Sequence, residues 1–434
     1  MSIHVGTSFG SNAMARLLAA FLSGSILAAL TPFVAQAQAP APSGSLPEGP
    51  GKEMVQGACT GCHQTNEILR SSGYTREGWK ELTSTMIDLS ASPAESDQLT
   101  EYLATHFPPN DKRQPKLMPG DTHVAFREWK TPTLGQRSRD PVQAMDGSIW
   151  WAGQWANLIG RIDPTTGEMK EYALPPNAMP HTVVLDDAGH VWYTGNKNGT
   201  VGKLDPNTGK ITEFKMPDPK AKDPHTAVFD RKGILFFTLQ LSNMIGRLDP
   251  ATGAIKLVTM KTADARPYGI KVDADGFLWV ACNGAPCLVK IGPSTLDLTE
   301  VKLPTPGTTV RRLDIAEDGM IWYVNSGKGK IGRYNPKTGE IKEWGSPSGP
   351  QSHPYAIAVV DGIVWYNESG QRPDALVRFD PITERFQSWP IPSGGVHAGI
   401  IRHMRPTRDG DLLIHQSSTN RIIQVTPSNR AAVR

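Results

Sequence analysis

The spacing of apolar positions changes character several times along the chain. Leu17 to Val34 is an apolar run broken by Ser23, Gly24, Ser25 and Pro32, with Arg16 before it and Ala35-Gln36-Ala37 after it. A basic start, a short apolar stretch and small residues at its end predict a signal peptide over 1–37, with Met14 as an alternative start; a retained membrane anchor is the other reading. Residues 38–50 are rich in Ala, Pro, Gly and Ser and predict a flexible tether. From 51 to 107 the period is helical. Trp79, Leu82, Met86 and Leu89 share one face of one helix. Leu99, Tyr102, Leu103 and Phe107 share a face of the next, behind Ser92-Pro93-Ala94-Glu95, a capping box with Pro at the first helical position. Residues 108–121 are proline-rich and read as a linker.

Beyond residue 122 the pattern becomes short β-rich runs that repeat at about 43 residues. Asp146-Gly-Ser-Ile-Trp-Trp returns as Asp318-Gly-Met-Ile-Trp-Tyr and Asp361-Gly-Ile-Val-Trp-Tyr. Ile159-Gly-Arg-Ile-Asp-Pro-Thr-Thr-Gly returns at Val201, Ile245 and Ile331. Each Asp-Gly is a hairpin turn before an aromatic strand, and each Asp-Pro-x-Thr-Gly turns the chain between two strands. Four strands per period is the signature of a propeller blade. Innermost strands begin near Val142, Thr182, Thr226, Gly269, Leu313, Ala356 and Ala398, which makes seven blades. The last blade lacks an outer strand, and Val124 to Lys130 has the outer-strand pattern. The expected fold is therefore two domains: a small all-α domain, then an all-β seven-bladed propeller over 122–427 closed by an N-terminal outer strand, with 428–434 as a tail. Pairing first with last in this way leaves no open sheet edge.

Composition adds two constraints. The net charge of +3 is too small and too dispersed for nucleic acid. Of four cysteines, Cys282 and Cys287 are candidates for a disulfide in an exported protein, with two buried thiols as the alternative. The other two lie in Cys59-Thr60-Gly61-Cys62-His63. Cys-x-x-Cys-His is the attachment motif for one covalent haem c: the thiols add to the vinyl groups and the adjacent His63 ligates iron. A thioredoxin-like redox motif would need a βαβ setting, which the pattern lacks.

The segment around this motif resembles the class I cytochrome c family over about residues 50–107, on Cys59, Cys62, His63 and Tyr102-Leu103. The resemblance implies a Met as the sixth iron ligand, and Met86 is the Met between the motif and the last helix. Met54, His106 and Met118 are reserves, and Met86 as a core gap-filler is the alternative.

In the propeller, aligning the repeats brings Arg139 or Asp140, His181, His225, Tyr268, Arg311, Tyr355 and His397 to one level at the channel mouth. Such a ring is a candidate site, although a water-filled channel is also polar. His181, His225 and His397 together are candidate ligands for a divalent metal, or donors to a substrate. A second ring holds Gly153, Gly195, Leu239, Cys282, Asn325, Glu368 and Gln416, in which Glu368 is the one carboxylate. The repeats resemble the virginiamycin B lyase (streptogramin lyase) family over about 122–427. That resemblance implies opening of cyclic depsipeptides by elimination, with a His base and a Mg²⁺ site near the channel mouth. Its catalytic blade best matches His353-Pro354-Tyr355-Ala356-Ile357, then Trp365-Tyr366-Asn367-Glu368. Glu368 matches, Tyr355 stands in place of the base, and His353 replaces an acidic residue. His397-Ala398-Gly399-Ile400 keeps a His without a partnering Glu.

The functional expectation is a periplasmic c-type cytochrome, with one haem c on Cys59, Cys62, His63 and Met86. Its propeller binds a small-molecule or peptide substrate or a soluble electron-transfer partner, as in a haem-linked dehydrogenase. The alternatives are a C–O lyase with an appended cytochrome, using His397, Tyr355 and Glu368, and a non-catalytic binding propeller.

Overall fold

The computed structural model describes residues 44–60, 65–69, 73–109, 113–393 and 401–428. The expected signal peptide, Cys62, His63, His397 and the end of the tail lie outside them.

Four helices come first: α1 (Lys52–Cys59), α2 (Thr65–Leu69), α3 (Arg76–Ser84) and α4 (Pro93–His106). The Thr75 hydroxyl caps α3 by accepting from the Gly78 N–H at 3.1 Å. Ser92 holds the N-cap position of α4, but its side chain makes no capping bond there; Pro93 alone carries the start signal. The α4 stripe is buried as its spacing requires: Leu99, Tyr102 and Leu103 are at most 2% exposed. Trp79 closes the other side, its indole N–H donating to the Phe107 carbonyl at 2.9 Å. The face expected to carry Trp79, Leu82, Met86 and Leu89 on one helix is cut short. In Thr83-Ser84-Thr85 each hydroxyl bonds back to a carbonyl of the preceding turn, which ends α3, and Met86 and Leu89 follow in the turn.

Two segments read as loose are pinned. Leu46 is buried in the helical core, and the Tyr102 hydroxyl donates to the Pro47 carbonyl at 2.6 Å, so residues 44–50 pack on α4. In the proline-rich linker, Arg113, Lys116 and Met118 use backbone groups on Arg372, Ser348 and Ser388. The helices also dock on the propeller. The Thr85 carbonyl accepts from the Gly135 N–H at 2.8 Å and from the Asn420 amide, and Arg421 pairs with Glu81 at 3.4 Å.

The rest is seven four-stranded antiparallel sheets. Six have the strand order of the chain. The seventh is completed by His123–Lys130, which pairs with Arg421–Ser428 in the register Phe126↔Val425 and Trp129↔Ile422. Trp129 then packs with Leu413 and Ile422 of the last blade and Ile149, Trp151 and Ile162 of the first, so one apolar cluster spans the closure. The repeat glycines have a steric cause. A Cβ on Gly160 would lie 2.0 Å from the Trp151 ring, and one on Gly332 would lie 2.1 Å from the Tyr323 ring, because each aromatic lies flat across the neighbouring strand. Cys282 and Cys287 form a disulfide between the two middle strands of the fourth blade. No described helix is long and apolar enough to cross a membrane.

Candidate functional site

The innermost strands of the first six blades are Ser138–Gln143, Pro180–Leu185, Pro224–Phe229, Pro267–Val272, Val310–Ile315 and Pro354–Val360. Each pairs with its neighbour through a register shift near its start: Pro180 faces Gly195, for example, and Val183 then faces Tyr193. The skipped residues are freed from regular pairing. They are His181 and Thr182, His225 and Thr226, Tyr268 and Gly269, Arg311 and Arg312, Tyr355 and Ala356, and Asp140 with Pro141.

The expected ring converges. His181 and His225 lie with ring centroids 3.4 Å apart, and His225 lies 4.2 Å from Tyr268. The Tyr268 and Tyr355 hydroxyls bond directly to each other. Arg139 places Nη2 2.6 Å from His181 Nε2 and donates through Nη1 to Gln154. The Arg311 guanidinium lies 4.9 Å from the Tyr355 ring centroid and 5.6 Å from that of Tyr268. Below them, fully buried Asp140 accepts from the Thr182 hydroxyl at 2.7 Å and faces His403 at 3.3 Å and Arg312 at 3.9 Å. At the other end of the channel a cavity of about 380 Å³ is lined by Val142, Val184, Ala227 and Ile270, with His403 and Arg405 at its floor.

Electrostatics follow from burial and crowded guanidinium groups. Burial pushes the Tyr355 phenol up, but Arg311, Arg402, the Tyr268 hydroxyl and Arg139 pull it down to about 7. Tyr268 is pushed by burial and by Tyr355 to about 12. Burial and neighbouring charge lower Arg139 and Arg405 to about 10, which leaves both cationic at neutral pH. Asp140 would be raised by burial, yet His403, Arg312 and His181 hold it well below the usual carboxylate range.

The family model described as "Virginiamycin B lyase family" matches residues 120–291. Virginiamycin B lyase from Staphylococcus aureus superposes with a TM-score of 0.63 at 25% identity, covering 70% of this chain and 99% of its own. A streptogramin B lyase structure gives 0.64 at 24% identity, covering 70% and 98%. The propeller is virginiamycin B lyase-like. A catalytically inactive His-to-Ala variant of the S. aureus enzyme, solved with quinupristin, matches at 25% identity and TM-score 0.63, covering 70% and 99%. Hydrazine synthase of Kuenenia stuttgartiensis, at 13% identity and TM-score 0.56 over 70% of this chain and 98% of its own, shares the fold. No curated protein matches the sequence.

The lyase-like propeller does not assemble every residue expected at its site. Glu368 is fully buried, and its carboxylate accepts from the hydroxyls of Ser346 and Ser348 and from the Ser348 N–H, at the seam between the fifth and sixth blades. It is occupied there and is not brought against Tyr355. The rest of the second ring braces loops: the Asn325 amide donates to the Thr308 hydroxyl, and Gln416 accepts from Thr419. His353 bonds Ser369 at 2.9 Å, with its ring 5.8 Å from that of Tyr355.

His397 lies outside the described residues, and of the three expected metal ligands only His181 and His225 are placed, both engaged by protein groups. Their rings lie over one another, His181 Nε2 is engaged by a guanidinium, and the Nδ1 atoms face Thr182 and Thr226 hydroxyls. Among the described residues no group of three His, Cys, Asp or Glu could hold a metal ion. The donor set near Tyr355 is cationic and fits Mg²⁺ no better.

Arg312, Arg402, Arg405, His403 and His415 were not expected at the axis. Arg312 could have been found, since it neighbours Arg311 in the same register shift. The others sit in the last blade, whose innermost described strand is Met404–Pro406, and whose repeat pattern is weakest.

Burial, with nearby arginine charge, holds His181, His225, His403 and His415 well below the usual imidazole value and His353 at about 4. The unfolded chain takes up protons on these groups below about pH 6.5, while the folded chain does not. Stability is therefore full above that pH and falls as the pH drops towards the folded-state values. The slope is about 1.4 kcal/mol per pH unit for each histidine that stays neutral. Denaturant midpoints measured between about pH 7.5 and 5.5 should fall steeply, and an unchanged midpoint would refute the assignment.

Proposed function

We propose that the channel mouth performs an elimination that breaks a C–O bond, with Tyr355 as the base. The observation that carries this reading is the position of Tyr355. The sequence resemblance puts it in place of the lyase family's base, and it is bonded to Tyr268 and covered by Arg311 at 4.9 Å. In its phenolate form, Tyr355 takes a proton from a carbon next to a carbonyl. The C–H electron pair becomes the new C=C bond, and the adjacent C–O bond breaks with its pair leaving on oxygen. Arg311 and Arg139 supply the positive charge that the transient enolate needs, as preorganised donors in a site shielded from water. No step is assigned to Glu368 or to Mg²⁺, because the described residues do not fit that ion.

The test is a panel of β-acyloxy carbonyl compounds with quinupristin included, analysed by mass spectrometry and absorbance. Elimination opens quinupristin to a linear product of unchanged mass with a new conjugated double bond. Hydrolysis products heavier by one water, or no product from any member, would refute elimination.

A second reading concerns the helices, and a specific observation favours it. Cys59 at the end of α1 and Met86 belong to one apolar cluster, in which Met54, Ile68, Leu69, Ile87 and Leu89 remain half-buried. Apolar side chains left partly uncovered around a thiol and a thioether fit an apolar macrocycle. We infer that Cys59 and Cys62 hold one haem c and that His63 and Met86 ligate its iron, supplying one-electron transfer to a soluble partner. The Cys282–Cys287 disulfide accords with the oxidising, periplasmic setting in which such attachment takes place. Thr85, beside Met86, is the residue bonded to Gly135 and Asn420, so the ligand-bearing turn is held against the propeller rim. Met86→Ala should abolish low-spin His/Met absorbance while leaving the pigment covalently attached after denaturation. An unchanged spectrum would refute Met86, and absence of covalent pigment in exported protein would refute the reading.

A further inference from the structure

The mouth of the channel collects more positive charge than the described residues neutralise. Arg139 and Arg312 are each 2% exposed, and Arg311 and Arg402 are half-buried beside them. Asp140 is the carboxylate that faces this group, through Arg312 and His403. Asp374, the next acid, is paired with Arg372 at 3.5 Å. Residues 394–400, which contain His397, include no Asp or Glu, so the remainder of the blade brings no compensating charge. Burying guanidinium groups without counter-charge is strongly unfavourable, and their unpaired N–H groups are costly as well. Three such atoms are present here: Nε of Arg139, Nε of Arg311 and Nη2 of Arg312 are buried and have no hydrogen-bond acceptor among the described residues.

We propose that the channel mouth is an anion site and that the molecule it takes is a small organic acid, held through its carboxylate by Arg311 and Arg139. The planar guanidinium fork matches a carboxylate in geometry and charge. The carbon skeleton has a counterpart in the aromatic wall formed by His225, Tyr268 and Tyr355, which an inorganic anion would leave bare. The lowered pKa of Tyr355 accords with the same excess of positive charge. This inference names the substrate class for the elimination proposed above and rests on the same mouth being the functional site.

The experiment measures binding without turnover, by titration calorimetry of the full chain with benzoate, acetate, inorganic phosphate and benzamide. Benzamide has the shape of benzoate without its charge. Benzoate or acetate should bind at least about tenfold more tightly than benzamide and phosphate. Arg311→Gln and Arg139→Gln should each weaken carboxylate binding about tenfold or more, with Arg311→Lys retaining part of it. Arg161→Gln, on an exposed pair with Asp146 at 3.1 Å, should change nothing and serves as the folding control. Equal binding of benzamide, phosphate binding as tight as that of the carboxylates, no binding of either carboxylate, or full binding by both Gln variants would overturn the assignment. If carboxylates bind as expected and no member of the elimination panel reacts, the lyase reading fails and the anion site stands.

Discussion

Tyr355→Phe is expected to lower the elimination rate by about 10²- to 10⁴-fold, the usual contribution of a positioned general base. The substitution removes one oxygen from a side chain that is 5% exposed. The ring keeps its packing against Tyr268, and the loss should appear in kcat more than in affinity. The pH profile carries the sign. A base must be deprotonated to act, and the Tyr355 phenol loses its proton at about 7. Wild-type activity should therefore rise through neutral pH and level off above it. Arg311→Gln should move that rise to higher pH, because Arg311 is the largest charge that pulls the phenol down. Spectrophotometric titration of the phenol, wild type against Tyr355→Phe, reads the same ionisation without any substrate. A wild-type titration with no phenol ionising near neutrality would refute the assignment of Tyr355, and so would full activity in the variant.

The second large effect concerns closure of the ring. Removing His123–Lys130 would leave the last blade with three strands and expose Arg421–Ser428 as a free edge. It would also open the apolar cluster that Trp129 forms across the first and last blades. Trp129→Ala alone should cost about 3–5 kcal/mol, as expected for truncating a buried tryptophan. Deleting the strand should abolish cooperative unfolding of the propeller, and a peptide of residues 122–131 should restore part of it in trans. Thermal melts followed by near-ultraviolet circular dichroism measure both. A deletion variant that melts like wild type would show that closure contributes little.

Much of the scaffold was legible because it is periodic. Asp-Pro-x-Thr-Gly recurs because Asp163, Asp205 and Asp249 each bond backbone or hydroxyl groups two to three residues on, while the turn glycine donates back to them. Aromatic residues and glycines recur because each flat ring needs a strand without a Cβ beside it. The role of Val124 to Lys130 followed from the gap in the last blade's pattern. Helix ends and linkers were less legible. Thr83-Ser84-Thr85 ends α3 through side-chain bonds that apolar spacing does not encode. Leu46 and Tyr102 hold residues 44–50 through contacts that composition does not reveal.

By itself, the sequence determined the class of each part: a helical segment that carries a Cys-x-x-Cys-His motif, and seven repeats closed by a strand from their own N-terminal side. Those features are local or periodic, so neighbouring residues suffice to read them. Only the tertiary structure decided the character of the channel mouth. It engaged Glu368 on two serines and occupied His181 with Arg139. It also brought Arg139, Arg311, Arg312 and Arg402, from three separate blades, around Asp140, Tyr268 and Tyr355. Charge accumulates there because innermost strands far apart in the chain meet at one axis, and long-range electrostatics in a buried site depends on that meeting and on no single stretch of sequence.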